Sequence, residues 1–150
     1  MLQIKRTNSS DNDFHLLIGQ LDKYLLSRYG DLQNYYGQFN KIENLETVVL
    51  AYINGEVAGC GCFKKFDDES VEVKRMFVVE QHRGKAIGAA ILDELEKWAG
   101  EIGNRSTVLE LGNNQPEAIR LYLKQGYQVI ANYGQYVGME TSICLKKEII

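Results

Sequence analysis

The segment from Val71 to Ala99 joins a strand pattern, a turn of small residues and a helix pattern in that order. Its first part, Val71–Val79, is rich in Val, Met and Phe and is typical of a buried strand. Apolar residues then recur at spacings of three and four, which predicts a helix from about Gly84 to Gly100. Its apolar face comprises Ile87, Ile91, Leu95, Trp98 and Ile102. The fold must therefore place a helix directly after a buried strand.

The turn before this helix has the composition of an anion-binding loop. Gly84, Ala86 and Gly88 are small enough for the main chain to approach a bulky phosphate closely. Arg83 and Lys85 add positive charge, and the first N–H groups of a helix have no partner inside it. Glycines that serve only tight packing would give the same pattern, so a plain strand-to-helix turn is an alternative. The added cations favour the anion site.

The other patterns complete a mixed α/β fold, which we predict to be one domain over residues 1–150. Asn54-Gly55 is a strong hairpin signal, and Asp67 begins a second turn, so three strands should form an antiparallel meander. The helix after Val79 favours parallel pairing of the strands on either side of it. The remaining strands are predicted at Leu2–Arg6, Thr47–Ile53, Glu56–Phe66, Ser106–Leu111, Tyr127–Ile130 and Thr141–Lys146, and further helices at Phe14–Leu25 and Glu117–Lys124.

Two polar segments complete the prediction of local structure. Asp11 or Asn12 could cap the helix that contains Phe14. The tyrosine-rich segment Ser27–Asn44 has weak periodicity and is predicted to be a loop with a short helix.

Composition excludes several classes of function. A net charge of −3 gives no broad basic surface, so neither nucleic acid nor an anionic membrane is an expected partner. No apolar segment has the length of a signal peptide or a membrane span, which predicts a cytoplasmic location. Cys60, Cys62 and Cys144 do not combine with the two histidines into a zinc-type spacing. We therefore expect core thiols and no metal.

Two motifs stand out, one in the turn and one in the last predicted helix. Gln81-x-x-Gly84-x-Ala86 follows a strand and opens a helix, and Gln115–Tyr127 contains Ala-Ile-x-Leu-Tyr followed by Gly and an aromatic residue. Together they resemble the pyrophosphate-binding loop and the second conserved region of the GNAT superfamily of acetyl-CoA-dependent N-acetyltransferases. The resemblance covers Thr47–Tyr127 well and the N-terminal third in outline. Ala86 departs from the commonest form of that loop, which has Gly there.

The resemblance implies both a fold and a cofactor. The fold is a mixed, mostly antiparallel sheet of about six to seven strands, flanked by helices, in which two parallel strands splay apart. Here those strands would be Val71–Val79 and Thr107–Leu111, with the pantetheine arm of acetyl-CoA between them. The pyrophosphate would sit over Arg83–Gly88, and backbone N–H groups near Met76–Val78 would polarise the acetyl carbonyl. The implied cofactor-binding residues are Met76, Phe77, Val78, Gln81, Arg83, Gly84, Lys85, Ala86, Ile87, Gly88 and Asn114. Asn113 and Asn114 could equally cap the next helix.

The resemblance also suggests two catalytic residues. An amine attacks only when neutral, and a lysine-like amine has a pKa of about 10, so a base or an ordered water must remove a proton. Glu72 occupies the strand position where some relatives carry a catalytic glutamate; the alternative is a surface pair with Lys74. Tyr122 matches a tyrosine that protonates or holds the leaving thiolate in many relatives; the alternative is a core aromatic. His82 is interpreted as a solvated loop residue.

The resemblance thus implies acetyl transfer to a primary amine of a small molecule, amino acid or peptide by direct attack in a ternary complex. A non-catalytic acyl-CoA sensor is the alternative, and a dinucleotide- or triphosphate-binding domain is disfavoured because its glycine patterns are missing. Tyr29–Phe39 and Tyr133–Tyr136 could wall the acceptor pocket, and Glu110 could attract a cationic amine. A homodimer interface or a solvated face would explain these residues equally well.

Overall fold

The computed structural model describes residues 1–29 and 44–150, with side chains for 1–27 and 44–150, so most of the predicted loop Ser27–Asn44 lies outside the described residues. Two single-turn 3₁₀ helices occupy Glu80–His82 and Gly134–Tyr136. The strands are β1 (Leu2–Thr7), β2 (Val48–Ile53), β3 (Glu56–Lys65), β4 (Ser70–Val78), β5 (Ser106–Gly112), β6 (Gln128–Ile130) and β7 (Ser142–Glu148), and the helices are α1 (Asn12–Tyr29), α2 (Ile87–Glu101) and α3 (Pro116–Lys124).

The strands form one seven-stranded sheet in the order β1-β2-β3-β4-β5-β7-β6. The sheet is mostly antiparallel, and β4 and β5 form its parallel pair. This parallel ladder runs from the Ser70–Ser106 pair to the Glu72–Val108 pair. The predicted mixed α/β fold is therefore confirmed, including the parallel pairing across the crossover helix.

The chain divides into two compact units, the first of which comprises Met1–Phe63 and Lys74–Leu95. Its core forms because α1 carries apolar residues at helical spacing, and these pack against β2 and β3. Asp11 caps α1, since its Oδ1 accepts a hydrogen bond from the Asp13 N–H at 2.9 Å. The core residues are Phe14, Leu17, Ile18, Leu21, Val48, Leu50, Cys60, Cys62 and Phe77.

Two glycines of β3 bring the first half of α2 close to the sheet. A Cβ on Gly59 would lie 2.9 Å from Cδ1 of Ile91 and 2.9 Å from the backbone oxygen of Phe77. A Cβ on Gly61 would lie 3.0 Å from side-chain atoms of Ile91 and Leu95. Only glycine leaves room for this contact, which fixes where α2 begins relative to β3 and β4.

The predicted apolar face of α2 is confirmed at Ile87, Ile91 and Leu95, which are buried, and is wrong at Ile102, which is 57% exposed. The helix ends at Glu101, and Gly103 then adopts a left-handed conformation with φ of 101°, so Ile102 lies beyond the last helical turn. Leu92 and Ala99 are fully buried and complete the face.

The second unit comprises Lys64–Val73 and Glu96–Ile150, and buried hydroxyl groups pair within it. The Oγ atoms of Ser70 and Ser106 lie 2.7 Å apart, at the start of the parallel ladder. The amide of Asn132 donates to the carbonyl oxygens of Tyr136, Met139 and Ser142 at 3.0 to 3.2 Å. This side chain holds the loop before β7 in one conformation.

All three cysteines are free and buried, as the sequence predicts. The Sγ atoms of Cys60 and Cys62 donate to backbone oxygens of β4, each at 3.3 Å. Among the described residues, no group of three or more His, Cys, Asp or Glu side chains could hold a metal ion. Within the same residues, no helix is long and apolar enough to cross a membrane.

Candidate active site

The loop between β4 and α2 combines two left-handed residues with the start of a helix. Gly84 and Ala86 are both left-handed, with φ of 82° and 61°, and Ala86 stands immediately before α2, since its carbonyl accepts from the Ala90 N–H at 3.1 Å. A left-handed conformation is common for glycine and costs an alanine about 1 kcal/mol. The N–H groups of Ile87 and Gly88 belong to the first turn of α2, where no carbonyl inside the helix can accept from them. Helix α2 therefore starts at Ile87, three residues later than predicted.

The polar side chains of this loop are exposed, and both cations have neighbours in the first unit. The Nε of Arg83 donates to the Val78 carbonyl at 3.0 Å, and its guanidinium carbon lies 5.1 Å from the centre of the Tyr24 ring. The Nζ of Lys85 lies 3.5 Å from Nδ1 of His82. The predicted loop residues Gln81, Arg83, Gly84, Lys85 and Ala86 are all exposed.

His82 is not the solvated residue that the sequence suggested. It is 8% exposed, because the 3₁₀ turn Glu80–His82 directs its ring inward, and its Nε2 lies 3.8 Å from Oε2 of Glu56. Sequence patterns did not indicate this burial, since a lone histidine between Gln and Arg carries no periodic signal.

Met76, Phe77 and Val78 form the end of β4, directly after a residue with unusual backbone geometry. Arg75 has φ of 57°, which in a strand is typical of a β-bulge and changes the direction of the groups that follow. Nη1 of Arg75 donates to Oδ1 of Asp22 at 2.8 Å, which anchors the bulged residue to α1. The residue type does not predict this geometry, because arginine rarely adopts a left-handed conformation.

Glu72 lies in the second unit, at the last pair of the parallel ladder, and is 5% exposed. Its Oε2 accepts a hydrogen bond from the Tyr133 hydroxyl at 2.8 Å. Burial excludes the interpretation of Glu72 as an ordinary surface residue. A carboxylate is buried at a cost unless hydrogen bonds compensate for the lost water, and Tyr133 supplies such a bond.

Aromatic rings surround the hydroxyl that contacts Glu72. Tyr133 meets Phe66 and Tyr136 in edge-to-face contacts, with ring centres 4.7 and 5.9 Å apart. Burial and the charge of Glu72 raise the pKa of the Tyr133 phenol, so it stays protonated at neutral pH. The sequence pattern suggested Tyr133 as part of an acceptor wall but did not indicate its contact with Glu72, which joins residues 61 positions apart.

A second carboxylate faces the same aromatic residues. Burial raises the pKa of the Tyr136 phenol, and the charges of Glu110 and Glu72 add to this effect. Oε2 of Glu110 accepts a hydrogen bond from the Ser142 hydroxyl at 2.7 Å. Cys144 lies opposite Glu110 in the β5–β7 ladder, and burial together with the same two carboxylates raises the pKa of its thiol. The second unit therefore contains an acidic cluster lined by phenols.

Tyr122 is 6% exposed on α3, and its ring meets that of Tyr127 edge to face at 5.6 Å. Burial raises the pKa of its phenol, so the proton stays on the oxygen at neutral pH. Such a group can donate a hydrogen bond but does not act as a base.

The two asparagines after β5 do not occupy the N-cap of α3. That position belongs to Gln115, whose side chain makes no capping hydrogen bond. Asn113 donates to the Glu140 carbonyl at 3.3 Å, and Asn114 is exposed in the turn. Asn113 therefore connects the turn to the segment before β7.

Comparison with known proteins identifies the family. The sequence model of the Acetyltransferase (GNAT) family matches residues 15–127 of this chain. The chain belongs to this family. The GNAT resemblance of the two motifs is thus confirmed, and the chain is an acetyltransferase.

Relatives of this GNAT chain extend the comparison. The IAA acetyltransferase of Azospirillum brasilense is 35% identical over 142 residues, which cover 89% of this chain and 88% of that protein. A Klebsiella pneumoniae protein proposed to be an acyl-CoA N-acyltransferase has 29% identity and a TM-score of 0.81, covering 100% of this chain and 99% of that one. The yncA protein of Salmonella typhimurium, solved with its cofactor acetyl-CoA, has a TM-score of 0.70 at 19% identity, covering 100% and 95%. The last of these supports the fold alone.

Proposed function

We propose that this GNAT chain transfers an acetyl group from acetyl-CoA to a primary amine of a small molecule, an amino acid or a peptide. The observation that carries the proposal is the buried Glu72 carboxylate, 5% exposed and held by the Tyr133 hydroxyl at 2.8 Å. A buried carboxylate in a family whose reaction must deprotonate an amine is a candidate general base.

The loop before α2 fits the pyrophosphate of acetyl-CoA. Left-handed Gly84 and Ala86 and the first N–H groups of α2 form a cradle for an anion, and the side chains of Arg83 and Lys85 are exposed beside it. Acetyl-CoA supplies the acyl group as a thioester when bound. Backbone N–H groups of Met76–Val78, after the Arg75 bulge, would polarise its carbonyl. The other proposed cofactor-binding residues are Gln81, Ile87, Gly88 and Asn114.

The proposed chemistry of the chain consists of two proton transfers. Glu72 accepts a proton from the ammonium form of the acceptor, directly or through a water molecule, so that the neutral amine can attack. Tyr122 donates a hydrogen bond or a proton to the departing sulfur, and burial keeps the hydrogen on its phenol oxygen until then. The proton that the attacking nitrogen loses as the amide forms balances the one that the thiol gains.

Direct attack without a covalent enzyme intermediate agrees with the cysteines. Burial raises the pKa values of the Cys60 and Cys144 thiols, which leaves little thiolate at neutral pH. We therefore assign no nucleophilic role to either cysteine.

The acceptor is proposed to be cationic in solution. The charges of Glu72 and Glu110 both act on the Tyr136 phenol, so a positive ligand near these tyrosines would be favoured. Phe66, Tyr133 and Tyr136 would supply the apolar wall. A cytoplasmic location and a homodimer stay predictions from the sequence.

The proposal is tested by measuring CoA thiol release from acetyl-CoA with a panel of amines, amino acids and short peptides. Turnover with at least one amine is expected, and Tyr122→Phe should lower kcat about tenfold or more while acetyl-CoA affinity, measured by calorimetry, persists. Acetyl-CoA binding without turnover across the panel would favour the sensor alternative. Absence of acetyl-CoA binding would contradict the assignment of the loop.

A further inference from the structure

We propose that Tyr133 is a positioning residue for Glu72, fixing the carboxylate in the orientation in which it accepts the proton of the amine. This inference rests on the proposed role of Glu72 as base. The supporting contact is the hydrogen bond from the Tyr133 hydroxyl to Oε2 of Glu72 at 2.8 Å. A bond to one carboxylate oxygen restricts rotation of the whole group about its last side-chain torsion.

The loop that carries Tyr133 is built to hold its side chain still. Tyr133 directly precedes the 3₁₀ turn Gly134–Tyr136, and Tyr136 is 1% exposed. The Asn132 amide donates to three carbonyl oxygens of this loop. The Tyr133 ring is further confined between Phe66 and Tyr136. The phenol therefore reaches Glu72 without the entropy loss that a mobile side chain would incur.

The hydrogen bond has two consequences for the reaction. It offsets part of the cost of burying the Glu72 carboxylate, because the Tyr133 phenol donates to it. It also keeps the base in place during the reaction, so its loss should affect kcat more than KM. Substitution of a residue that served folding alone would not lower kcat selectively over KM in the folded enzyme.

The test compares Tyr133→Phe with Tyr52→Phe, a matched control in the first unit. The Tyr52 hydroxyl donates to Oδ2 of Asp13 at 2.7 Å, so both variants remove one phenol-to-carboxylate hydrogen bond and keep the ring. Tyr133→Phe should lower kcat about tenfold with KM nearly unchanged, because the base is then less often in the orientation that accepts the proton. Tyr52→Phe should change neither, and both variants should bind acetyl-CoA as the wild type does.

A double-mutant cycle tests whether Tyr133 acts through Glu72. In a Glu72→Gln background, Tyr133→Phe should cause no further loss of kcat, because the base that Tyr133 orients is already absent. A wild-type kcat in Tyr133→Phe, or an equal loss of kcat in both backgrounds, would overturn the positioning role alone. A wild-type protein that acetylates no amine would overturn the proposed function and this role together.

Discussion

The hydroxyl of Tyr127 lies 2.6 Å from Oγ1 of Thr107, and both residues are buried, at 2% and 0% exposed. The same hydroxyl donates to Oε2 of Glu96 at 2.9 Å, and Lys147 bonds the other oxygen of that carboxylate at 2.7 Å. The ring of Tyr127 also packs against the ring of Tyr122, the proposed proton donor. The network therefore fixes the position of the aromatic neighbour of Tyr122. The network links Glu96 of α2, Thr107 of β5 and Lys147 of β7 through Tyr127, which lies three residues after the end of α3.

Tyr127→Phe should lower the free energy of unfolding by about 2 kcal/mol, because the buried Thr107 hydroxyl would lose its partner. Urea denaturation measures this change. In the corresponding double-mutant cycle, the variant that carries both Thr107→Val and Tyr127→Phe should lose less free energy of unfolding than the two single variants lose in sum. Strict additivity would show that the two hydroxyl groups do not stabilise each other.

Gly59→Ala should destabilise the protein by about 2 kcal/mol, since its methyl group would meet the backbone oxygen of Phe77 at 2.9 Å. Gly19→Ala is the control, because Gly19 lies within α1 with no atom within 4 Å of the added Cβ; it should stabilise by about 0.5 to 1 kcal/mol. Both changes are measured by urea denaturation, and equal effects would contradict the close packing of α2 on β3.

We propose that the chain is a single domain. In that case Gly59→Ala and Tyr127→Phe should shift the midpoint of one common unfolding transition.

Asp11→Asn should destabilise the protein at neutral pH and lose this effect in acid. The hydrogen bond from Lys5 at 2.9 Å lowers the pKa of the Asp11 carboxyl below its usual value near 4. Because the pKa is lower in the folded state, the stabilisation is complete above about pH 5 and is lost as pH falls through the folded-state pKa. Urea midpoints of the two proteins should therefore converge below about pH 3.

The control for this charge effect is Asp11→Ala. Asparagine still accepts a hydrogen bond at the N-cap of α1, whereas alanine does not, so Asp11→Ala should be about 1 kcal/mol less stable than Asp11→Asn at every pH. A constant gap between the wild type and Asp11→Asn across this range would contradict the ion pair.

Gly84→Ala should weaken acetyl-CoA binding about tenfold, since alanine disfavours the left-handed backbone of the proposed cradle and the added methyl group would enter the open space beside it. Gly55→Ala is the control, because Gly55 has a similar φ of 86° and equally open space in the β2–β3 turn. Each variant should lower the free energy of unfolding by about 1 kcal/mol. If calorimetry gives both variants the same affinity for acetyl-CoA, the loop does not hold the pyrophosphate.

The sequence predicted those features that repeat along the chain or depend on local backbone chemistry. Helix periodicity from Ile87 to Leu95 located the buried face of α2, and Asn54-Gly55 located the first hairpin. The start of α2 was predicted three residues early, because the left-handed conformations at Gly84 and Ala86 delay the helix. Periodicity alone does not reveal the φ value of a single residue.

The features that the sequence did not predict depend on contacts between distant residues. Tyr133 and Glu72 meet because β4 and the loop before β7 converge in the fold, and no spacing rule connects positions 61 residues apart. His82 is buried by a 3₁₀ turn that its neighbours in sequence do not signal. Arg75 is left-handed although its residue type disfavours it, and Asp22 of α1 anchors it. None of these contacts appears as a local pattern in the sequence.

The most direct test of the proposed base is the pH dependence of acetyl transfer by the wild type and Glu72→Gln, with the best amine of the panel and saturating acetyl-CoA. Loss of the base should lower kcat about a hundredfold or more near pH 7. The gap should narrow towards pH 10, where a lysine-like amine is increasingly neutral without help. Equal rates and identical pH profiles for the two proteins would contradict the role of Glu72.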